Sequence, residues 1–171
     1  MEINQLKQKF IELYGGSEQD IRVFSAAGRV NLIGEHIDYC GGKVFPAALN
    51  LRTVVLARKN NENVIRLAAT TVKQREELNL STLDAYKGLK WGDYQAGVAY
   101  VMQNEGYKIV GADTLYDTTV PFASGLSSSA SIEVATAMML ATFSAEEGVK
   151  SVDRVELAVL SQKAENTYNG V

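Results

Sequence analysis

From Ser127 to Phe143 the chain carries a single charge, Glu133. A helix that is apolar around nearly all of its circumference has to be buried on most of it, so other elements must surround this one. The stretch that leads into it, Pro121–Ser131, reads PFASGLSSSAS. A proline closes the preceding segment, a glycine permits a tight turn, and three serines follow before the apolar run begins at Ala130. The first backbone N–H groups of a helix have no intrahelical partner and carry partial positive charge. With Gly125 letting the backbone come close and hydroxyls lining the turn, such an end suits a phosphate. The same letters also describe an ordinary serine N-cap with spare serines on the first turn. On this stretch alone both readings stand.

The rest of the chain supplies the surroundings. Ile3, Leu6, Phe10, Leu13 and Tyr14 fall at helical spacing, and Gly15-Gly16 ends that run. Strands are expected at Arg22–Ala27, Lys43–Ala48, Thr53–Arg58, Val64–Thr71 and Gln74–Leu80, with the turn-rich Asn60–Asn63 making a hairpin of the third and fourth. Tyr94, Val98, Val101 and Met102 share one face of a helix that Gly106 stops, and Thr114–Val120 is a strand leading into the serine loop. A last helix is expected from a cap at Ser151 to about Tyr168, with Val155, Ala158, Val159 and Gln162 set between charged positions. Strands fill the first two-thirds and helices the last third, which is an α+β pattern.

With 171 residues, 46% of them apolar, the chain is of single-domain size. The net charge of −3 comes without basic or acidic blocks, which argues against nucleic acid or a membrane surface as partner. No apolar run reaches the length of a membrane span, and MEINQLKQKF is not a signal peptide. One cysteine, Cys40, rules out a disulfide framework or a cysteine metal cluster and makes a reducing, cytoplasmic setting the default.

A second constellation lies at Gly28–Gly42, GRVNLIGEHIDYCGG. If Val30–Ile33 is a buried strand, then Glu35, His36 and Asp38 emerge together where the backbone turns. Two carboxylates and an imidazole form a dense set of donors and acceptors, as a polyhydroxylated ligand needs. Arg29 adds a fixed positive charge beside them. The alternative is a solvated polar turn with a structural histidine. A metal site of Glu35, His36 and Asp38 lacks a recurrent ligand spacing and a second histidine.

Together, GRVNLIGEHIDY and PFASGLSSSAS resemble the first two signature motifs of the galactokinases, members of the small-molecule kinase superfamily named for galactose, homoserine, mevalonate and phosphomevalonate. The serine loop indicates the superfamily; the GRVNLIGEH run points to a sugar kinase of the galactokinase group. The resemblance implies an α+β, ribosomal protein S5 domain 2-like fold, a mixed sheet with helices packed on one side. It implies that Arg29 stabilises charge near the phosphoryl acceptor and that Glu35, His36 and Asp38 bind ring hydroxyls of the sugar. It assigns Gly125, Leu126, Ser127, Ser128, Ser129 and Ala130 to the phosphates of ATP, Ser129 and Glu165 to Mg2+, and Trp91 to the adenine. Three features depart from the common family pattern: Ala27 stands where proline is usual, Ile37 replaces a common threonine, and HIDYC also resembles N-acetylgalactosamine kinases. The galactokinase pattern continues beyond Val171 with a catalytic aspartate, within roughly ten residues, and then a second domain. Residues 1–171 are therefore expected to be a partial N-terminal domain without its C-terminal domain, with little turnover of their own and exposed edges that favour self-association. The expected reaction is transfer of the ATP γ-phosphoryl group to the C1 hydroxyl of galactose. A non-catalytic sugar-and-ATP sensor related to the galactokinases is the alternative from another class; the intact SSSAS argues against it.

Overall fold

A computed structural model describes residues 1–34, 36–37, 40–89 and 91–170. Five strands form one mixed sheet: β1 Arg22–Ile33, β2 Phe45–Lys59, β3 Val64–Ala69, β4 Glu76–Asn79 and β5 Ala112–Thr118. Their order across the sheet is β1-β2-β5-β3-β4, antiparallel except for the parallel pair of β3 and β5. The helices are α1 Ile3–Tyr14, α2 Asp93–Asn104, α3 Ser128–Glu146 and α4 Arg154–Ala164.

Alternation along the strands makes two cores, because successive side chains leave opposite faces. Val55 of β2 stands opposite Phe24 of β1 and Tyr116 of β5, and all three join the larger core under α2, α3 and α4. Leu56 and its partner Leu115 point the other way, onto Leu6 and Phe10 of α1. The expectation of helices on one side thus holds for α2, α3 and α4, while α1 covers the opposite face. The nearly uncharged helix is the centre of the molecule. It packs on β1 and β2 below and against α2 and α4 above. Its buried residues, from Ser131 to Ser144, run round most of its circumference.

Several expectations are corrected. The hairpin of Thr53–Arg58 with Val64–Thr71 does not form, because β5 is inserted between them. The expected strands at Lys43–Ala48 and Thr53–Arg58 are one continuous β2. Skipping one strand takes about 10 Å, which residues 60–63 can span. They cross the start of β5 so closely that a Cβ on Gly111 would lie 1.9 Å from the Glu62 carbonyl oxygen. Asn60 pins the crossing: its N–H donates to the Gly111 carbonyl and its Nδ2 to Asp113 Oδ1, both at 3.1 Å.

Val30–Ile33 is strand but not buried strand. Leu32 and Ile33 are 63% and 71% exposed. In α4 the cap is Asp153, not Ser151; its Oδ1 accepts from Val155 N at 2.9 Å and from Glu156 N at 3.2 Å. The buried stripe is Leu157, Leu160, Ser161 and Ala164, whereas Val155 and Val159 are exposed. Both stripes have helical spacing, and packing against α3 and α2 selects the one with the leucines.

Candidate active site

The serine loop is docked onto β1. Arg29 N donates to the Leu126 carbonyl at 3.1 Å, and a Cβ on Gly28 would come within 2.9 Å of that same oxygen. Residue 28 must therefore be glycine for the two motifs to meet. Within the loop Ala123 and Ser127 take left-handed backbone conformations, with φ 54° and 60°. Such conformations cost of order 1–3 kcal/mol each and persist where the surroundings enforce them. Ser127 is the residue before α3, yet its side chain makes no capping hydrogen bond. The ordinary-cap reading of the serines is thereby set aside: the start of α3 is not satisfied by its own N-cap side chain.

A cleft of about 690 Å³ opens over this helix end, walled by Gly125, Ser127, Ser128, Ser129 and Ala130, with Arg29, His36 and Glu165 around it. Ser129 Oγ donates to Glu165 Oε1 at 2.8 Å. Glu165 starts a π-helical turn, Glu165–Asn169, that continues α4. The turn is held by Tyr168, which is buried and donates its hydroxyl to the Leu83 carbonyl. Thus the two residues assigned to the metal are brought together, Ser129 from the first turn of α3 and Glu165 from just beyond the end of α4. Arg29 faces the same cleft from β1, and His36 from the turn that follows β1. Glu35 and Asp38 lie outside the described residues, as does Val171, beyond which the catalytic aspartate is expected. Of the residues expected to act in catalysis, the described residues place Arg29 at the cleft.

Trp91 walls a second, largely apolar cavity of about 160 Å³, together with Gln95, Tyr116 and Val72. Tyr94, Phe122 and Ile132 belong to the walls of both spaces, so the cavity and the cleft adjoin. Leu126 contributes its carbonyl to the joint with β1 and is in neither wall as described.

Several buried residues beside the cleft were not singled out for it in the sequence. Glu133, one helical turn beyond Ser129, is 1% exposed, and its Oε1 has no hydrogen-bond partner among the described residues. Burial, followed by the nearby carboxylates of Glu165 and Asp93, pushes its carboxyl up to about 8. Burial also raises Asp93 above its ordinary value. The signal for Glu133 was present: it is the one charge in the run Ser127–Phe143. Ser131 is the serine of the motif that serves the fold. It is 1% exposed, donates to the Ala26 carbonyl at 2.9 Å and accepts from Thr53 N at 3.2 Å. Nothing in the letters separates it from the three serines before it.

Known proteins share both parts of this arrangement. Residues 8–59 match the galactokinase galactose-binding signature, and residues 93–171 match the N-terminal domain of GHMP kinases. The galactokinase of Clostridium tetani is 46% identical over all 171 residues, and that of Bacillus subtilis is 38% identical over 98% of the chain. The chain spans about 42% of the length of each of these curated relatives. The crystal structure of Lactococcus lactis galactokinase complexed with galactose superposes with a TM-score of 0.91 at 36% identity, over 99% of this chain and 43% of that one. Mevalonate kinase of Methanococcus jannaschii, 21% identical with a TM-score of 0.70, shares the fold.

Proposed function

This chain belongs to the galactokinase family, and on that premise we propose that residues 1–171 are the part of an N-terminal domain that holds the sugar-binding segment and the nucleotide phosphates of an ATP-dependent galactose kinase. The observation that carries the reading is the single cleft in which the uncapped start of α3, the Ser129–Glu165 pair and Arg29 converge. Phosphates of ATP lie against the backbone of Gly125–Ser129, where helix N–H groups and hydroxyls replace the lysine of a P-loop. His36, with Glu35 and Asp38, binds the hydroxyls of galactose; the complex of the Lactococcus lactis relative with galactose supports that choice of sugar.

Among the described residues no group of three or more His, Cys, Asp or Glu is arranged to hold a metal ion. One carboxylate and one hydroxyl at 2.8 Å nonetheless fit Mg2+, a hard cation that takes few protein ligands and completes its shell with water and substrate phosphates. Ser129 and Glu165 would hold it, and it would supply charge neutralisation at the phosphates. Arg29 offsets the negative charge that builds on the transferring group as the C1 oxygen bonds to the γ-phosphorus and ADP leaves. The family resemblance assigns the proton of that hydroxyl to an aspartate beyond Val171, in the part of the relatives that this chain does not span. A reaction between ATP and a free sugar fits the cytoplasm, and no helix among the described residues is long and apolar enough to cross a membrane.

An ADP-release assay with galactose tests this. A protein spanning the full length of the relatives turns over galactose and yields galactose 1-phosphate, whereas residues 1–171 alone are slower by at least about 10²–10⁴-fold, the usual effect of losing a general base. Comparable rates from the two would refute the assignment of roles, and absence of phosphorylation by the longer protein would refute the reaction.

A further inference from the structure

A groove of about 460 Å³ runs between α3 and α4. It shares Arg29, Ala130 and Glu165 with the phosphate cleft, so the two spaces adjoin. Val134 on α3 and Ala158 and Val159 on α4 make much of its wall apolar. Val159 and, one turn earlier, Val155 are exposed, an apolar face that nothing covers among the described residues. Glu133 lines the same groove from α3. It is buried, and its Oε1 has no hydrogen-bond partner among the described residues. A buried polar oxygen left unpaired costs about 1–3 kcal/mol, so it calls for a partner. Ser161, also in the wall, is not that partner, because its hydroxyl donates to the Leu157 carbonyl at 2.8 Å. An apolar trough with one buried polar anchor suits a length of polypeptide, whose side chains can lie on the trough while its backbone pairs with the anchor. Every residue of a backbone other than proline carries both an N–H and a C=O, so it can serve Glu133 whether the carboxyl is ionised or protonated.

The occupant within reach is the chain's own continuation. Asn166 of the groove wall belongs to the turn Glu165–Asn169, and Gly170, with φ 75°, ends that turn. More than half of each curated relative lies outside the part that this chain matches. Ten residues in extended form reach about 33–36 Å, twice the roughly 16 Å length of an 11-residue helix such as α4. The segment to which the family resemblance assigns the catalytic aspartate can therefore lie along the groove and pass beside Arg29.

We propose that this groove is the seat of the segment that follows Val171 in the full-length protein, and that Glu133 is its anchor: the Glu133 carboxyl group hydrogen-bonds the backbone of that segment and so positions its aspartate beside Arg29 and the acceptor hydroxyl. The inference rests on the kinase reading given above. Glu133 touches neither substrate nor the transferring group in this account; it is a positioning residue that acts through the aspartate.

The test uses a protein spanning the full length of the relatives, with ATP and galactose. Glu133→Met keeps the bulk of the side chain and removes its polar atoms. It lowers kcat by roughly 10²-fold, the effect of a misplaced catalytic group, with KM for both substrates little changed. Glu133→Gln, which can still pair with a backbone, keeps most of the rate. Where the aspartate is itself replaced by alanine, Glu133→Met has no further effect, because the two residues act as one unit. Occupancy of the groove is read separately, by alkylation of the thiol that Val159→Cys introduces. That thiol reacts at least about tenfold more slowly in the full-length protein than in residues 1–171 alone, since a covered site reacts only when it opens. Equal alkylation rates, whether the groove stays open in both proteins or a second copy covers it in the shorter one, overturn the seat in the groove. A Glu133→Met protein as fast as native, a Glu133→Gln protein as slow as Glu133→Met, or a loss that persists in full without the aspartate overturns the anchor. The kinase reading stands in each of those cases. Absence of galactose phosphorylation by the native full-length protein overturns that reading and this inference together.

Discussion

Between pH 5 and pH 8 the chain should lose stability in the absence of divalent cations, and Glu133→Gln should remove most of that loss. Glu133 sits in the central helix with 1% of its surface exposed, and its carboxyl is pushed from 4.5 up to about 8, first by burial and then by Glu165 and Asp93. The folded chain therefore holds a proton that the unfolded chain has already released. Stability is fully present below about pH 4.5 and is lost as the pH rises towards 8. At about 1.4 kcal/mol per pKa unit the effect is on the order of a few kcal/mol. Asp93, also raised by burial, adds to the same trend. Glu105, Glu146 and Glu147 are held below the ordinary range, Glu105 and Glu147 chiefly by hydrogen bonds to lysines and Glu146 by Lys59 and Arg22 against the effect of burial. Their contribution is lost only at more acid pH. A glutamine imitates the protonated acid in shape and has no charge to bury, so denaturant melts at pH 5 should coincide for the two proteins, and at pH 8 the variant should be the more stable. A native chain whose stability is the same at both pH values would show that Glu133 is not buried with its proton.

Ser131→Ala should be the costliest single change in the SSSAS run. The Ser131 hydroxyl sits between Ala26 of β1 and Thr53 of β2, residues that face each other in the ladder, and bonds to both. It fixes the central helix to the sheet one turn beyond the loop. Alanine leaves the Thr53 N–H without that acceptor and the Ala26 carbonyl without that donor, in a place where Thr53 is wholly buried. Losing such partners costs about 1–3 kcal/mol, or a fall of roughly 2–9 °C in melting temperature for a chain of this size. Ser127→Ala and Ser128→Ala, on the wall of the cleft, should leave the melting temperature within about 2 °C of native, since surface changes away from such networks stay within about 0.5 kcal/mol. Equal losses at all positions would mean that the run is a structural unit and not a loop with one anchor.

The contrast among these serines shows what the sequence carries and what it does not. The central position of Ser127–Phe143 was legible because a helix with a single charge is apolar on nearly every side and has to be buried. The two motifs were legible through their resemblance to those of a known family, and Arg29, Ser129 and Glu165 do meet around one cleft. What was not legible is whatever depends on a partner distant in the chain. The letters of Thr53–Arg58 and Val64–Thr71 permit a hairpin, and only the presence of β5 between them decides otherwise. Val155 and Val159 look like core by type, yet the leucines of the neighbouring stripe take the inner side of α4.

The central claim is that the serine loop and Glu165 together form a cradle for a Mg2+–nucleotide. Calorimetric titration of ADP into the 171-residue chain, with Mg2+ and with EDTA, tests it directly when repeated on Glu165→Gln. Mg2+ should tighten ADP binding to the native chain by about tenfold or more, as expected when a cation joins carboxylate to phosphate, and should have little effect on binding to Glu165→Gln. An equal effect of Mg2+ on both proteins, or no binding of ADP to the native chain, would contradict the account.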